Sequence, residues 1–117
     1  MWIFTKQGGF LSVVAHDTDP HLRRVRARKR AHLEAAFPNA DIIEVTDGDY
    51  RWHADVPWPK VAWLAINALR DMDYTSHVKE AVAGDDDAFY EAMLGCWREL
   101  WRIQHAEEMD EKYGVPQ

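Results

Sequence analysis

Apolar and polar positions alternate most clearly over residues 50–56, where Tyr50, Trp52, Ala54 and Val56 interleave with Arg51, His53 and Asp55. That period of two predicts a strand with one buried face, presenting Arg51, His53 and Asp55 on the other. Upstream, Ile42, Ile43 and Val45 lead to Asp47-Gly48, a turn pair, so this region reads as a hairpin. A first hairpin is predicted at the N-terminus, from the β-prone residues 2–5, the turn Gln7-Gly8-Gly9 and the β-branched, apolar run 10–15.

Helical signals occupy the rest. Asp17-Thr18-Asp19-Pro20 reads as a helix start, with Asp19 as cap and Pro20 at the first position, and predicts a helix over 20–37 ended by Pro38-Asn39. Pro57-Trp58-Pro59 breaks the strand and starts a second helix, with Val61, Leu64, Ala65, Ala68 and Leu69 as its buried stripe and Trp63 off it. A short helix over 74–83 closes at Gly84. Asp85-Asp86-Asp87 then starts a last helix reaching about residue 108, roughly 33 Å long, with Tyr90, Met93, Leu94, Trp97 and Trp101 as its stripe. Residues 109–117 are expected to be a frayed acidic tail. The order predicts one α+β domain over 1–117: a four-stranded antiparallel sheet from two hairpins in ββαββα order, helices packed on one face, and a long C-terminal helix.

Composition narrows the class. With 117 residues and 47% hydrophobic content the chain can close one core without metals or disulfides, and its single cysteine, Cys96, forms no internal bridge. No signal-peptide pattern and no apolar run of membrane length occurs, so a cytoplasmic protein with no membrane partner is expected. The net charge of -6 disfavours nucleic acid as a partner of the whole molecule. The charge is polarised, however, with Arg23, Arg24, Arg26, Arg28, Lys29 and Arg30 clustered early and acids dominating after Glu80.

On the predicted first helix the basic residues split. Arg23 and Arg30 take one flank, Arg24 and Arg28 the other, and Arg26 and Lys29 fall inside the apolar stripe. A groove-reading helix would keep its cations on one face, so nucleic-acid binding through Arg23, Arg24, Arg28 and Arg30 is an alternative and not the main reading. Arg26 needs a carboxylate, carbonyl or aromatic partner, or an anionic ligand. A weaker alternative is a small-ligand or enzymatic site where Arg51, His53, Tyr74, His77 and Lys79 converge together with Arg26. Six histidines without tight ligand pairs, and one cysteine, predict no metal site and no cofactor. Ser76-His77-Val78-Lys79 formally matches Ser-x-x-Lys, but the companion motifs of that enzyme class are missing, so no catalytic residue is assigned. Six tryptophans are many for this size. Trp58, Trp63, Trp97 and Trp101 are the candidate interface anchors, and a noncatalytic protein-interaction module is the leading expectation.

Met1-Trp2-Ile3-Phe4-Thr5-Lys6, Gly9-Phe10, Ser12-Val13-Val14, Val25-Arg26-Ala27-Arg28 and Asp73-Tyr74-Thr75-Ser76-His77-Val78-Lys79 resemble a family of small uncharacterised proteins of actinobacteria and their phages. The likeness covers nearly the whole chain. It implies an intact protein of actinobacterial or phage origin, and carries no activity and no catalytic residue across; the interaction reading separately expects action on a host protein or on its own copies. Lys29 departs from that pattern, where such sequences look more often apolar, which weakens a shared basic surface.

Overall fold

Short alternating strands cannot bury their apolar sides alone, and five of them do so here in one antiparallel sheet. The computed structural model describes residues 1–114. Its elements are β1 (Trp2–Thr5), β2 (Gly9–Ala15), β3 (Leu22–Ala27), α1 (Arg30–Ala36), β4 (Ile43–Glu44), β5 (Trp52–Pro57), α2 (Trp58–Arg70), α3 (Val78–Ala83) and α4 (Asp87–Tyr113). The strands lie in the order β1-β2-β3-β5-β4. The chain divides into two compact units, residues 1–82 and residues 83 onward.

In the first unit, both expected hairpins form: β1 pairs with β2, and β4 with β5. The four-strand ββαββα order is corrected by an extra strand. Residues 20–37, expected as one helix, divide into β3 and the shorter α1. Arginine is a good helix former, but 22–27 also carries a strand's alternation, and the sheet decides between them. β3 pairs on both sides, placing Val25 opposite Val13 on β2 and Ala54 on β5, so its backbone groups are satisfied along both edges. The Asp-Pro signal serves a turn: Asp19 Oδ1 accepts from His21 N at 2.9 Å, and the Leu22 amide donates to Asp19 O at 3.2 Å.

One sheet face supplies Leu11, Val13, Val25, Ala27, Ala54 and Val56, which pack with Leu33 and Phe37 beside α1 and Val61 of α2 in a single core. Both helices therefore cover this face. Leu11, Val25 and Leu33 are fully buried, each contributing about 1.5–3 kcal/mol by leaving water. The strand register sets Trp2, Phe4, Phe10, Ser12, Arg24, Arg26, His53 and Asp55 on the second face. Tyr50 departs from the expected alternation. It precedes β5, is buried, and meets Phe10 and Arg26 of the second face instead of joining Trp52 and Ala54.

The turn between β1 and β2 docks on α1. Gly9 has φ +63°, and a Cβ there would run into the His32 ring, whose Nδ1 accepts from the Phe10 amide at 3.2 Å. Gly8 N donates to Thr5 Oγ1 at 2.8 Å, closing the turn.

In the second unit, Gly84 takes φ +56° and Asp86 caps α4, its Oδ1 accepting from Phe89 N at 3.0 Å, as the sequence predicts. The helix runs on through Tyr113, so residues 109–113 are helical where a frayed tail was expected; residues 115–117 lie outside the described residues. The expected helix over 74–83 is confined to α3, which begins only at Val78 after the left-handed His77.

Gly9→Ala should cost about 2–3 kcal/mol, combining about 1–2 kcal/mol for a left-handed Cβ with displacement of His32. Gly84→Ala has the same backbone sign but no neighbour within 4 Å, and should cost only the first part. Urea midpoints of the two variants check the difference.

Candidate functional site

The early basic cluster is spread over three elements, and most of its charges are matched. Arg24 lies between Asp17 at 3.2 Å and Asp55 at 3.3 Å, and hydrogen bonds to Asp55 and then Asp17 hold its proton more tightly than usual. Arg28 reaches Asp49, with Nη1 at 2.6 Å from the carbonyl oxygen and 3.5 Å from the carboxylate. Arg30 pairs with Glu34 one turn along α1 at 2.6 Å. Arg23 turns back on its own chain, donating to the carbonyls of Pro20 at 2.8 Å and Leu22 at 2.9 Å. The basic helix proposed as a nucleic-acid surface is thus corrected to a central strand, a connecting residue and a short helix.

Arg26 finds the aromatic partner that its pattern demanded. Its guanidinium carbon sits 4.5 Å from the Tyr50 ring centroid, Arg28 lies 4.2 Å from the same centroid, and Arg26 Nη2 donates to Ser12 Oγ at 2.8 Å. These stacked contacts, each about 0.5–2 kcal/mol, explain why Tyr50 is buried away from the main core.

The ligand candidates do not gather. Arg51 is tied to Glu44 at 2.9 Å and lies 5.0 Å from the Trp52 ring. His53 stands opposite Arg26 in the sheet. Tyr74 is half-buried and Lys79 lies in the first turn of α3, while His77 is exposed, 4.0 Å from Glu80. Among the described residues no hydrogen bond or ion pair joins Arg51, His53 and His77 to one another. His16 spends Nδ1 on the amides of Thr18 and Asp19, and no three His, Cys, Asp or Glu side chains form a metal-sized group among the described residues.

His53, on the same sheet face as Arg24, is shifted in the opposite direction. Burial, then the Arg24 cation, hold it below the usual 6.5, with Arg26 adding to the effect and a Tyr50 backbone hydrogen bond and Asp55 opposing. Its Nε2 and the Arg26 Nε are buried without hydrogen-bond partners.

Tryptophan tells a different story. Trp2, Trp58, Trp63, Trp97 and Trp101 are all exposed, and only Trp52 packs against the core. On α2 the expected buried stripe holds for Val61, with Leu64, Ala65 and Ala68 half-buried, but Leu69 is corrected to the outside. Trp63 at 58% exposure, Ile66 at 50% and Leu69 at 72% are exposed around α2, and Met72 at 47% follows just past its end. Ile66 and Met72 escaped the sequence reading because a helix of this composition looks one-sided only if its core face is chosen correctly.

Two hollows flank α2. A cleft of about 500 Å³ is lined by the buried Phe37 and Val56, the exposed Trp63, and the polar Asp41, Asp55, Lys60 and Asn67. A smaller apolar hollow of about 190 Å³ lies by Trp58, over Ile3, Val13 and Val61. Neither is lined by a cysteine, serine or histidine; the ionisable groups of the larger are Asp41, Asp55 and Lys60, and that of the smaller is Arg23. The smaller hollow is lined almost entirely by apolar surface, the larger by a mixture of polar and apolar groups.

Comparison with protein-family models, curated proteins and solved structures finds no match. No helix among the described residues is long and apolar enough to cross a membrane.

Because burial and the Arg24 cation lower the proton affinity of His53 in the folded chain, the unfolded chain binds more protons as pH falls below 6.5. Its contribution to stability is therefore full above 6.5 and declines as pH drops through the folded value. His53→Gln should flatten that part of the stability profile, as measured by urea unfolding between pH 5 and 8.

Proposed function

We propose that the protein is a noncatalytic protein-interaction module that engages its partner through α2. The observation that carries this reading is that α2 sends Val61 into the core while Trp63, Ile66 and Leu69 stand in water, with Trp63 also lining a cleft. Exposed aromatic and aliphatic anchors next to side-chain-sized hollows are the features from which interface hot spots are built. The partner in this reading is a host protein or a second copy of the chain.

Trp63→Glu with Leu69→Glu tests it. Both positions are exposed, so the unfolding midpoint should move by no more than about 0.5 kcal/mol. The double variant should lose the protein captured by the unmodified chain from host lysate, or its own copy in sedimentation. An identical capture profile and an unchanged sedimentation profile would overturn the proposal.

The nucleic-acid alternative has one favourable observation, the coexistence of Trp2, Phe4 and Phe10 with Arg24 and Arg26 on one sheet face, an arrangement suited to stacking bases. Against it, Arg24 and Arg28 already face carboxylates. A single-stranded oligonucleotide should therefore give no mobility shift at low salt. A shift that weakens steeply with added salt would reverse the ranking.

A further inference from the structure

Within α4 the side chains segregate along the helix. With about 100° between successive residues, Met93, Trp97, Leu100 and Trp101 follow one line, with Cys96 and Ile103 beside it, while Glu91, Arg98, Glu99 and Arg102 take the opposite side. Phe89 and Met93 are buried, but every described residue from Cys96 onward is exposed, including Leu100 at 67% and Ile103 at 60%. A helical stretch of that length gains little from propensity alone and depends on burial of its apolar side.

Beyond Ile103 the same line changes chemistry. Glu107, Glu108 and Glu111 continue it one and two turns further on, and Gln104 bonds Glu108 at 2.7 Å. Glu107 and Glu111 form no ion pair among the described residues, and Lys112, the neighbour of Glu111, lies over the Tyr113 ring at 5.4 Å. They also crowd the C-terminal end of the helix, where the macrodipole is negative and carboxylates are disfavoured. An occupant of this face must therefore be apolar at one end and cationic at the other.

A second copy of the chain fits badly. The segment from residue 83 onward carries 9 Asp and Glu against 3 Lys and Arg. Parallel pairing would set the Glu107–Glu111 region against itself. Antiparallel pairing about Leu100 would bring it beside the acidic start, Asp85 to Glu91.

We infer that the α4 face from Trp97 to Glu111 docks a basic amphipathic helix of another protein, its leucine-type side chains on Leu100, Trp101 and Ile103 and its lysines or arginines against Glu107, Glu108 and Glu111. This rests on the interaction reading above and names the chemistry of a partner. Amphipathic helices dock through anchors at three- and four-residue spacing, and charge on the flanks sets which partner is chosen.

The test uses the full chain and fluorescent synthetic helices of about 18 residues with one leucine stripe and either lysine, glutamine or glutamate on the polar face, read by anisotropy. The lysine peptide should bind at least about tenfold more tightly than the glutamate peptide, with the gap narrowing as salt rises. Leu100→Ser with Ile103→Ser should abolish binding while circular dichroism keeps its helical signal. Glu107→Lys, Glu108→Lys and Glu111→Lys together should invert the preference toward the glutamate peptide. Equal binding of all three peptides, or a lysine preference untouched by the triple reversal, would overturn the charge assignment and leave the α2 reading standing. A concentration-dependent dimer dispersed by Leu100→Ser would replace the proposed partner with a second copy. Failure of all peptides to bind, alongside persistent capture dependent on Trp63, would sink this inference alone.

Discussion

Pairing of β3 on both of its edges is the interaction on which the first unit depends. Val25 sits between Val13 and Ala54, with all three buried, so one short strand joins the N-terminal hairpin to the β4-β5 hairpin and carries the centre of the core. Without β3 the two hairpins would each expose a backbone edge, and neither two-stranded piece would be stable in water. Two of the three arginines on β3 are tolerated because the opposite sheet face gives them partners, Asp17 and Asp55 for Arg24 and Tyr50 and Ser12 for Arg26, while Arg23 turns back onto the carbonyls of Pro20 and Leu22. Burying Val25 and Ala27 and pairing the arginines are two consequences of one alternation.

That same alternation was the hardest part of the chain to read. In β5 the polar positions are short or aromatic, so a period of two stands out; in Leu22–Ala27 the polar positions are arginines, whose helix propensity and long apolar stems blur it. An Asp-Pro pair upstream fits a helix cap and a turn equally well, and only the pairing of β3 with β2 decides for the turn. Local signals that involve no distant partner were legible: the Gly9 turn, Gly84 ending α3 and Asp86 capping α4. Tyr50 and Leu69 were misplaced for the opposite reason, since their environments depend on arginines from β3 and on which side of α2 meets the sheet. Of the candidate site, the exposed indoles could be anticipated from number alone, whereas the cleft beside Trp63 needs segments 37–41 and 55–57 brought together across the fold.

Charge is partitioned between the two units. Residues 1–82 hold 11 Lys and Arg against 11 Asp and Glu, and residues 83–117 hold 3 against 9, so the net charge of -6 belongs to the second. In the first unit opposite charges meet across short distances, as at Arg24, Arg28, Arg30 and Arg51, and little long-range field remains for a polyanion. Such exposed pairs contribute at most about 1 kcal/mol each, so their main effect here is to cancel a basic surface.

In the second unit the acids stay on one helix, where they repel each other and oppose the dipole at its C-terminal end. Carboxylates there weaken the helix, and the indoles and aliphatic side chains preceding them gain nothing from solvent. Neither feature is explained by the helix alone. Both become favourable together when a surface supplies apolar contacts at Leu100 and cations near Glu108, because desolvating the first strengthens attraction at the second. The α2 face lacks this acidic continuation, having Lys60 near its start and Arg70 paired with Asp71 at its end. The two exposed helix faces therefore differ in the partner chemistry they would select: one chiefly by shape and apolar fit, the other by apolar fit combined with positive charge.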